Sequence, residues 1–182
     1  MKTFLTSLRV LLVLTVITGV LYPVAVWGVG RAFFPEAAEG SLLRRAGRIV
    51  GSALLAQTIE DPRYFSSRPS AGDHATVASG ASNQAWTNAR LAAAIAERRG
   101  RAGSANPPAD LLTASGSGLD PDLSPEAIRT QAGRVAAARK LTLDQQHALD
   151  ELIAKQTVGG QLSPARVNVL RLNLALDSAF PP

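Results

Sequence analysis

The residues of this chain that could do covalent chemistry are two serines of one small-residue loop and the two histidines. Ser115 and Ser117 lie in the loop 113–118, and His74 and His147 stand far from it in sequence. A serine nucleophile needs an adjacent base, so an acyl-transfer site built from one serine and one histidine is one hypothesis. Ser115 rather than glycine stands two residues before Ser117, so the nucleophile elbow G-x-S-x-G is missing. A serine hydrolase therefore remains an alternative without a recognisable motif.

The acidic and histidine residues do not predict a metal site or an acid/base pair. Asp120 and Asp122 flank a proline in a turn, which suits capping better than paired acid/base catalysis. The two histidines lack the i, i+4 spacing of a helical metal-binding pair, and we expect both at the surface. The chain has no cysteine, which excludes disulfides, thiolate metal sites and cysteine nucleophiles.

Nucleotide-binding motifs are almost absent. A phosphate-binding P-loop needs glycine followed by lysine, and no glycine of this chain is followed by lysine. Gly159, Gly160 and Gln161 resemble the Gly-Gly-Gln of transporter signature loops, which makes them weak nucleotide candidates. We favour the alternative that the two glycines stop a preceding helix.

A helix is predicted directly after the small-residue loop. Ser124 suits an N-cap, Pro125 the first helical position and Glu126 the positive end of the helix dipole. The helix is expected over about 125–140. Its predicted apolar face is Ile128, Ala132, Val135 and Ala136, with Arg129, Arg134 and Arg139 available to solvent.

Residues 10–30 predict a transmembrane helix, because 21 residues without a charge exceed the roughly 17 to 20 needed to cross the hydrocarbon core. The run is longer than the apolar region of a signal peptide, and no A-x-A-like cleavage site follows it. Pro23 is expected to kink the span. Trp27, Phe33 and Phe34 suit an interfacial belt.

One face of this helix is small and weakly polar. Thr15, Thr18 and Gly19 form it, and such a face can pack on a neighbouring transmembrane helix. The charges do not decide the orientation of the span. Lys2 and Arg9 precede it, whereas four arginines follow within about 20 residues.

The remaining sequence predicts one α+β domain of about 150 residues. Residues 31–48 are interpreted as a connector, so the divisions are 1–9, 10–30, 31–48 and 49–182. A bent strand is expected over 49–57, and a helix from 87 or 88 to 99 that Gly100 ends. A second helix, with a capping box, is expected over 142–155 and is stopped by Gly159-Gly160. Residues 167–176 are expected to form a strand, and a change to helix at its end is left open.

The loop 62–71 admits two interpretations. Arg68 could contact an anion in a ligand-binding loop. Alternatively, Tyr64 and Phe65 fill the core while Arg68 pairs with an acid, which we favour. The net charge of +5 is scattered and aromatic residues are few, so nucleic-acid binding is not expected.

Several long motifs, in order along nearly the whole chain, resemble the C subunit of the high-affinity potassium-transporting P-type ATPase, the Kdp complex. They are LYPVAVWG (21–28), GSLL (40–43), GSALLAQ (51–57), YFSSRPSA (64–71), SGASN (79–83), DLLTASGSGLDPDLSPEA (110–127), RVAAARKL (134–141) and RVNVLRLNLALD (166–177). The family usually shows a double glycine where Gly80-Ala81 stands here, and commonly leucine in place of Gln84. These departures bear on the role of that loop alone.

The resemblance implies a non-catalytic accessory subunit in the bacterial inner membrane, with one transmembrane helix and an extracytoplasmic α+β domain. The implied partners are a channel-like potassium-binding subunit and an ATP-hydrolysing pump subunit. The family is also described as a catalytic chaperone that raises the ATP affinity of the pump. This conflicts with a domain outside the cytoplasm, where ATP is not available, so we favour the structural role. Direct ATP binding by this chain is not expected, and ATP is a possible ligand only through the assembled complex.

The loops 113–124 and 64–71 are then expected to clamp the outer face of the channel-like subunit. A membrane-anchored hydrolase or receptor is the alternative. The partner-interface candidates are Thr15, Thr18, Gly19, Tyr64, Phe65, Arg68, Ser79, Asn83, Thr113, Ser115, Ser117, Asp120 and Ser124.

Overall fold

The computed structural model describes residues 2–181, and the chain divides between Leu42 and Leu43 into two compact units. The first unit is dominated by one long helix. It consists of α1 (Lys2–Val16), a π-helical segment (Ile17–Leu21) and α2 (Tyr22–Phe33), followed by the short α3 (Pro35–Ala38). The stretch Lys2–Phe33 is long and apolar enough to cross a membrane, and it contains the predicted span 10–30.

A π-helical segment, Ile17–Leu21, lies just before Pro23, and the kink predicted there stays a prediction. The backbone N–H of Tyr22 donates to the carbonyl of Ile17, five residues earlier. Proline has no N–H to continue the regular ladder, and a widened turn is one way for a helix to accommodate that loss.

The second unit mixes short strands and helices, as the sequence predicts. Its elements are β1 (Leu42–Arg45), β2 (Arg48–Ser52), a 3-10 turn (Thr76–Ala78), α4 (Ala89–Arg101), α5 (Ala109–Leu112), β3 (Asp122–Leu123), α6 (Pro125–Arg139), α7 (Leu143–Gln156), β4 (Thr157–Val158), β5 (Arg166–Asn168) and α8 (Val169–Ala179). Strands β1 and β2 form a two-stranded sheet.

The three-stranded sheet has β5 at its centre and is antiparallel, in the order β3-β5-β4. Val167 of β5 lies opposite Leu123 of β3 on one side and Thr157 of β4 on the other. The core is formed by α6, α7, α8, this sheet and the loop that carries Phe65. Its largest fully buried side chains are Phe65, Leu123, Ile128, Leu149, Ile153, Leu172, Leu176, Val135, Val167 and Val169.

Local capping explains where the helices begin. Ser124 Oγ accepts from Ala127 N at 3.1 Å, which confirms the N-cap of the helix predicted over 125–140. Thr142 and Gln145 form both bonds of the predicted capping box of α7. Asn88 caps α4, but that helix continues to Arg101, so Gly100 does not end it.

The strand predicted over 167–176 is wrong beyond Asn168. Asn168 instead caps α8 by accepting from Arg171 N at 3.1 Å. Val169, Leu172, Asn173 and Leu176 are the buried residues of α8, and their spacing is helical. The alternating leucines fit a strand pattern equally well, but the register set by the cap places these four side chains in the core.

Other predicted elements are shorter than expected or end differently. The strand predicted over 49–57 ends at Ser52, because the chain turns there and buries Ala53 and Ala56. Helix α7 ends at Gln156, ahead of β4, so Gly159 and Gly160 do not stop it. The predicted connector 31–48 contains the end of α2, α3 and β1.

Candidate partner-binding site

Three loops that are distant in sequence lie together on the second unit. Ser115 N donates to Pro69 O at 3.1 Å, and Ser79 Oγ donates to Ser117 O at 2.9 Å. We refer to residues 66–72, 79–84 and 113–120 as the loop cluster. It contains most of the two loops, 64–71 and 113–124, that the sequence proposed as a clamp, and it adds the 79–84 segment to them.

A close backbone approach fixes two of these loops to each other. Gly118 has φ +70°, and a side chain there would come within 2.9 Å of Gly80 O and 3.1 Å of Ser70 Oγ. Glycine is therefore required at 118 both for its conformation and for space. Ser117, beside it, is exposed, so the tip of the 113–118 loop is accessible.

Arg68 has the structural role favoured above. Its Nη1 lies 3.2 Å from Asp120 Oδ2, while its Nε is buried without a hydrogen-bond partner. Phe65 is fully buried, which confirms that it fills the core. Tyr64 is half-buried and its hydroxyl donates to Asp177 Oδ2 at 3.1 Å.

The two loop carboxylates each have a separate structural task. Asp120 Oδ1 accepts from Asp122 N at 3.1 Å and thereby closes the turn. Asp122 pairs with Arg166 at 3.1 Å and accepts from Asn168 Nδ2 at 3.1 Å. These bonds support the predicted capping role rather than paired acid/base work.

The serine hydrolase hypothesis receives no support from the geometry. Ser115 is almost fully buried beside Asp120 N, and Ser117 Oγ accepts from Leu119 N at 3.1 Å. His74 is partly buried and bonds instead to Thr58 Oγ1 at 3.0 Å and Arg68 O at 3.2 Å. Over residues 2–181, no hydrogen bond joins either serine to a histidine, and no group of three metal-ligating side chains occurs.

Two side-chain amides hold the 64–66 backbone, and sequence reasoning missed both. Asn173 Oδ1 accepts from Phe65 N and its Nδ2 donates to Phe65 O, each at 2.9 Å. Gln131 does the same for Ser66, at 2.9 Å and 3.1 Å. The two amides therefore take the place of a neighbouring strand for this buried segment. Gln131 lies on the predicted helix 125–140, whereas Asn173 lies in the stretch predicted as a strand, so no local pattern indicated that both amides face the core.

A second missed group is the acid Asp177 with its basic partners. Arg45 and Arg139 each approach one of its carboxylate oxygens at 2.6 Å, and Arg139 also lies 4.8 Å over the ring of Tyr64. The Arg139 side chain is only 2% exposed. The prediction that Arg139 is available to solvent is wrong, because its guanidinium is buried where it pairs with Asp177 and donates to the carbonyls of Arg63 and Phe180.

Two electrostatic effects lie beside the loop cluster. Hydrogen bonding from the Arg63 side chain lowers the pKa of Asp61 to about 2. Burial lowers the pKa of Arg134, whose guanidinium donates to Pro62 O at 2.7 Å and Tyr64 O at 3.1 Å. Arg134 thus stabilises the 62–64 backbone by these two hydrogen bonds.

The remaining interface candidates fall into three groups. Ser79 and Asn83 are exposed and Thr113 is half-buried, whereas Phe65 and Ser115 are buried and Ser124 serves as a helix cap. In the first unit, the hydroxyls of Thr15 and Thr18 donate to Leu11 O and Leu14 O of their own helix, and the surface at Gly19 is open. The small face there is therefore suited to packing rather than to donating hydrogen bonds.

The nucleotide candidates lie in the turn between β4 and β5. Gly159 and Gly160 both have positive φ, and Gly160 N donates to Ser163 O at 2.7 Å. A side chain on Gly159 would come within 2.6 Å of Pro164 O. The turn itself therefore explains both glycines, although not as the helix stop suggested by the sequence.

The chain matches the family model KdpC, described as the c chain of K+-transporting ATPases, over residues 4–178. The chain belongs to this family. The KdpC match includes the apolar helix and all three segments of the loop cluster.

Curated relatives, each named "Potassium-transporting ATPase KdpC subunit", agree with this assignment. The relative from Pseudomonas syringae pv. tomato is 50% identical over 175 residues, covering 94% of this chain and 90% of its own length. Those from Methylococcus capsulatus and Rhodospirillum rubrum are 48% and 47% identical, covering 96% and 100% of this chain and 97% and 98% of their own lengths. The similarity thus extends over both units.

Proposed function

We propose that this chain is a non-catalytic accessory subunit of an ATP-driven potassium uptake complex. The observation that carries the proposal is the loop cluster, in which hydrogen bonds join three motif-bearing loops into one surface with exposed tips of small residues. The relatives are subunits of potassium-transporting ATPases by name, so a partner for such a surface is expected.

The loop cluster is proposed to contact the channel-like potassium-binding subunit. Its exposed tips are made of small residues, Gly116 and Ser117 among them. Such tips allow a partner backbone to approach closely, and the loops are already held in place by Asp120, Arg68 and the amide bonds beneath them. Binding therefore costs little ordering of the loops.

The stretch Lys2–Phe33 is proposed to anchor the subunit in the bacterial inner membrane, with the second unit outside the cytoplasm. Thr15, Thr18 and Gly19 are then the face for a neighbouring transmembrane helix. A second unit outside the cytoplasm stabilises the complex by contact with the partner subunit. Any influence on ATP hydrolysis by the pump subunit is then indirect, because ATP lies on the other side of the membrane.

Potassium-dependent ATPase activity of the reconstituted complex, with and without this chain, tests the accessory role. We expect activity to be lost or strongly reduced without the chain, whereas full activity without it would refute the proposal. The matching control adds back the wild-type chain, which should restore the activity. The hydrolase alternative is tested separately on the isolated chain: hydrolytic activity that survives isolation and falls in Ser117→Ala would favour it.

The orientation is tested by Ser117→Cys in sealed membrane vesicles of known sidedness. The chain has no cysteine of its own, so a membrane-impermeant maleimide labels this chain at one position. Labelling from the outer side is expected before partner assembly. Labelling from the cytoplasmic side alone would reverse the topology and favour direct action on the ATP affinity of the pump.

A further inference from the structure

Residues 75–89 form an exposed segment without a charged side chain, between His74 and Arg90. We refer to it as the uncharged segment. It carries Trp86 and Val77, which are 95% and 102% exposed. The domain buries Phe65 and half-buries Tyr64 and Phe180, its other aromatic side chains. A fully exposed tryptophan is thus an exception within this unit.

Both apolar side chains are presented by defined turns. Val77 lies in the 3-10 turn Thr76–Ala78, where Ala78 N donates to Ala75 O at 3.2 Å. Trp86 lies in a turn closed by a 2.9 Å bond from Asn88 N to Ala85 O, and Asn88 in turn caps α4. The two side chains are therefore held outward before any partner is bound, which lowers the entropic cost of binding.

The uncharged segment is continuous with the loop cluster. Ser79 Oγ bonds to Ser117 O at 2.9 Å. Ala81, Ser82 and Gln84 line a groove of about 400 Å³ whose other walls include Ser70 and Ala114. A partner seated on the loop cluster would consequently reach the turn that carries Trp86, two residues beyond Gln84.

The composition of the segment favours a protein partner over a lipid surface. The centres of protein interfaces are enriched in aromatic residues and depleted of charge, as this segment is. Segments that lie on a membrane usually combine aromatic residues with lysine or arginine for the anionic headgroups. The uncharged segment contains no lysine and no arginine.

We propose that Trp86 and Val77 are the apolar anchors by which the uncharged segment docks into an apolar pocket of the channel-like potassium-binding subunit, the partner proposed to contact the loop cluster. The inference rests on the proposed function, because it requires the loop cluster to face that partner. Trp86 fills the pocket, and Val77 adds a second, smaller contact. Removal of a tryptophan of this kind weakens binding by about thirty-fold or more.

Binding of the full-length chain to a complex assembled without it, in detergent, tests the anchors. We expect Trp86→Ala to raise the Kd about thirty-fold and Val77→Ser to raise it less. Leu162→Ala is the matched control, because Leu162 is 103% exposed and lies outside the uncharged segment. Circular dichroism should be the same for all three variants. Wild-type affinity of Trp86→Ala would overturn the inference.

Cysteine protection separates failure of this inference from failure of the proposed function. Trp86→Cys, Ser117→Cys and the control Leu162→Cys are labelled with a maleimide in the free chain and in the complex. Protection of positions 86 and 117 alone supports the inference. Protection of 117 with free labelling of 86 overturns it and leaves the proposed function standing. Free labelling of positions 86 and 117 in the complex overturns both the inference and the proposed function.

The same variants test the lipid alternative. The free chain is reconstituted into vesicles that contain anionic phospholipid but no partner subunit, and Trp86→Cys is labelled there. Free labelling in these vesicles, with protection only in the complex, supports a protein partner. Protection by the vesicles alone would overturn the inference in favour of a membrane-facing role.

Discussion

At the scale of single residues, Asp177 joins parts of the second unit that are distant in sequence. It receives Arg45 from β1, Arg139 from α6 and the Tyr64 hydroxyl from the loop. A buried charge is tolerated only when it is paired and hydrogen-bonded, and Asp177 meets that condition through three donors. The pairing also balances Arg139, whose side chain is almost completely buried.

Asp177→Asn is expected to destabilise the protein by about 3 to 5 kcal/mol, because it leaves the buried charge of Arg139 uncompensated. Urea unfolding of the full-length chain in detergent, followed by circular dichroism, measures this. Arg101→Ala removes an exposed i, i+4 pair with Glu97 and should cost less than about 1 kcal/mol. Equal effects of the two variants would contradict a structural role for the buried network.

Asp61 provides a pH-dependent contact at the surface. Three bonds from Arg63 side-chain nitrogens, the shortest 2.7 Å, lower the pKa of Asp61 from 3.8 to about 2. The folded pKa lies below the ordinary value, so the ionised form favours the fold. Its contribution is present above about pH 4 and is lost as the pH falls toward 2.

The Arg63→Gln variant should raise the pKa of Asp61 part of the way to its ordinary value, because the backbone N–H of residue 63 still donates to Asp61 Oδ1, at 2.9 Å in the native protein. NMR titration of the Asp61 carboxyl carbon measures both variants. An unchanged circular dichroism spectrum shows that the fold is the same in both proteins. An unchanged Asp61 pKa in Arg63→Gln would show that the hydrogen bonds from Arg63 do not cause the shift.

At the scale of elements, two helices support the clamp loop by side-chain amides. Asn173 of α8 and Gln131 of α6 satisfy both backbone groups of Phe65 and Ser66. The loop therefore needs no strand partner to be buried. The position of the loop therefore depends on how α6 and α8 are packed in the core.

Asn173→Leu keeps the volume of the side chain but leaves the N–H and C=O of Phe65 unsatisfied. We expect a loss of about 3 kcal/mol in the free energy of unfolding, since each buried unpaired group costs about 1 to 3 kcal/mol. Amide exchange at Phe65 should accelerate. Ser178→Ala, on the same helix, removes an exposed hydroxyl bonded to Leu174 O and should change neither quantity. Unchanged exchange at Phe65 would contradict the proposed support.

The elements differ in how well the sequence predicted them. Helices α6 and α7 were predictable because Ser124 and Thr142 signal their starts locally. The α8 region was not, because its leucines fit two periodicities and the cap at Asn168 decides between them. The contacts of Asn173, Gln131 and Asp177 join residues far apart in sequence, and no local pattern encodes such pairs. The motifs indicated the loops of the site but not their convergence.

At the scale of the whole molecule, the two units differ in their need for an apolar environment. In the first unit, the described side chains are almost all exposed, and most large ones are apolar. In the second, most large apolar side chains form a shared core, and few are left exposed. The requirement for a membrane therefore belongs to the first unit.

A fragment comprising residues 43–182 is accordingly expected to fold in water without detergent. The unit has its own core and its helix caps, and neither depends on residues of the apolar helix. A single cooperative thermal transition and a sedimentation velocity mass of one chain would confirm the expectation. The same fragment with Ile128→Ala, which should lose about 2 to 5 kcal/mol, provides the control for a packed core. Aggregation of the unmodified fragment, or heat unfolding without a transition, would show that this unit requires the membrane segment to fold.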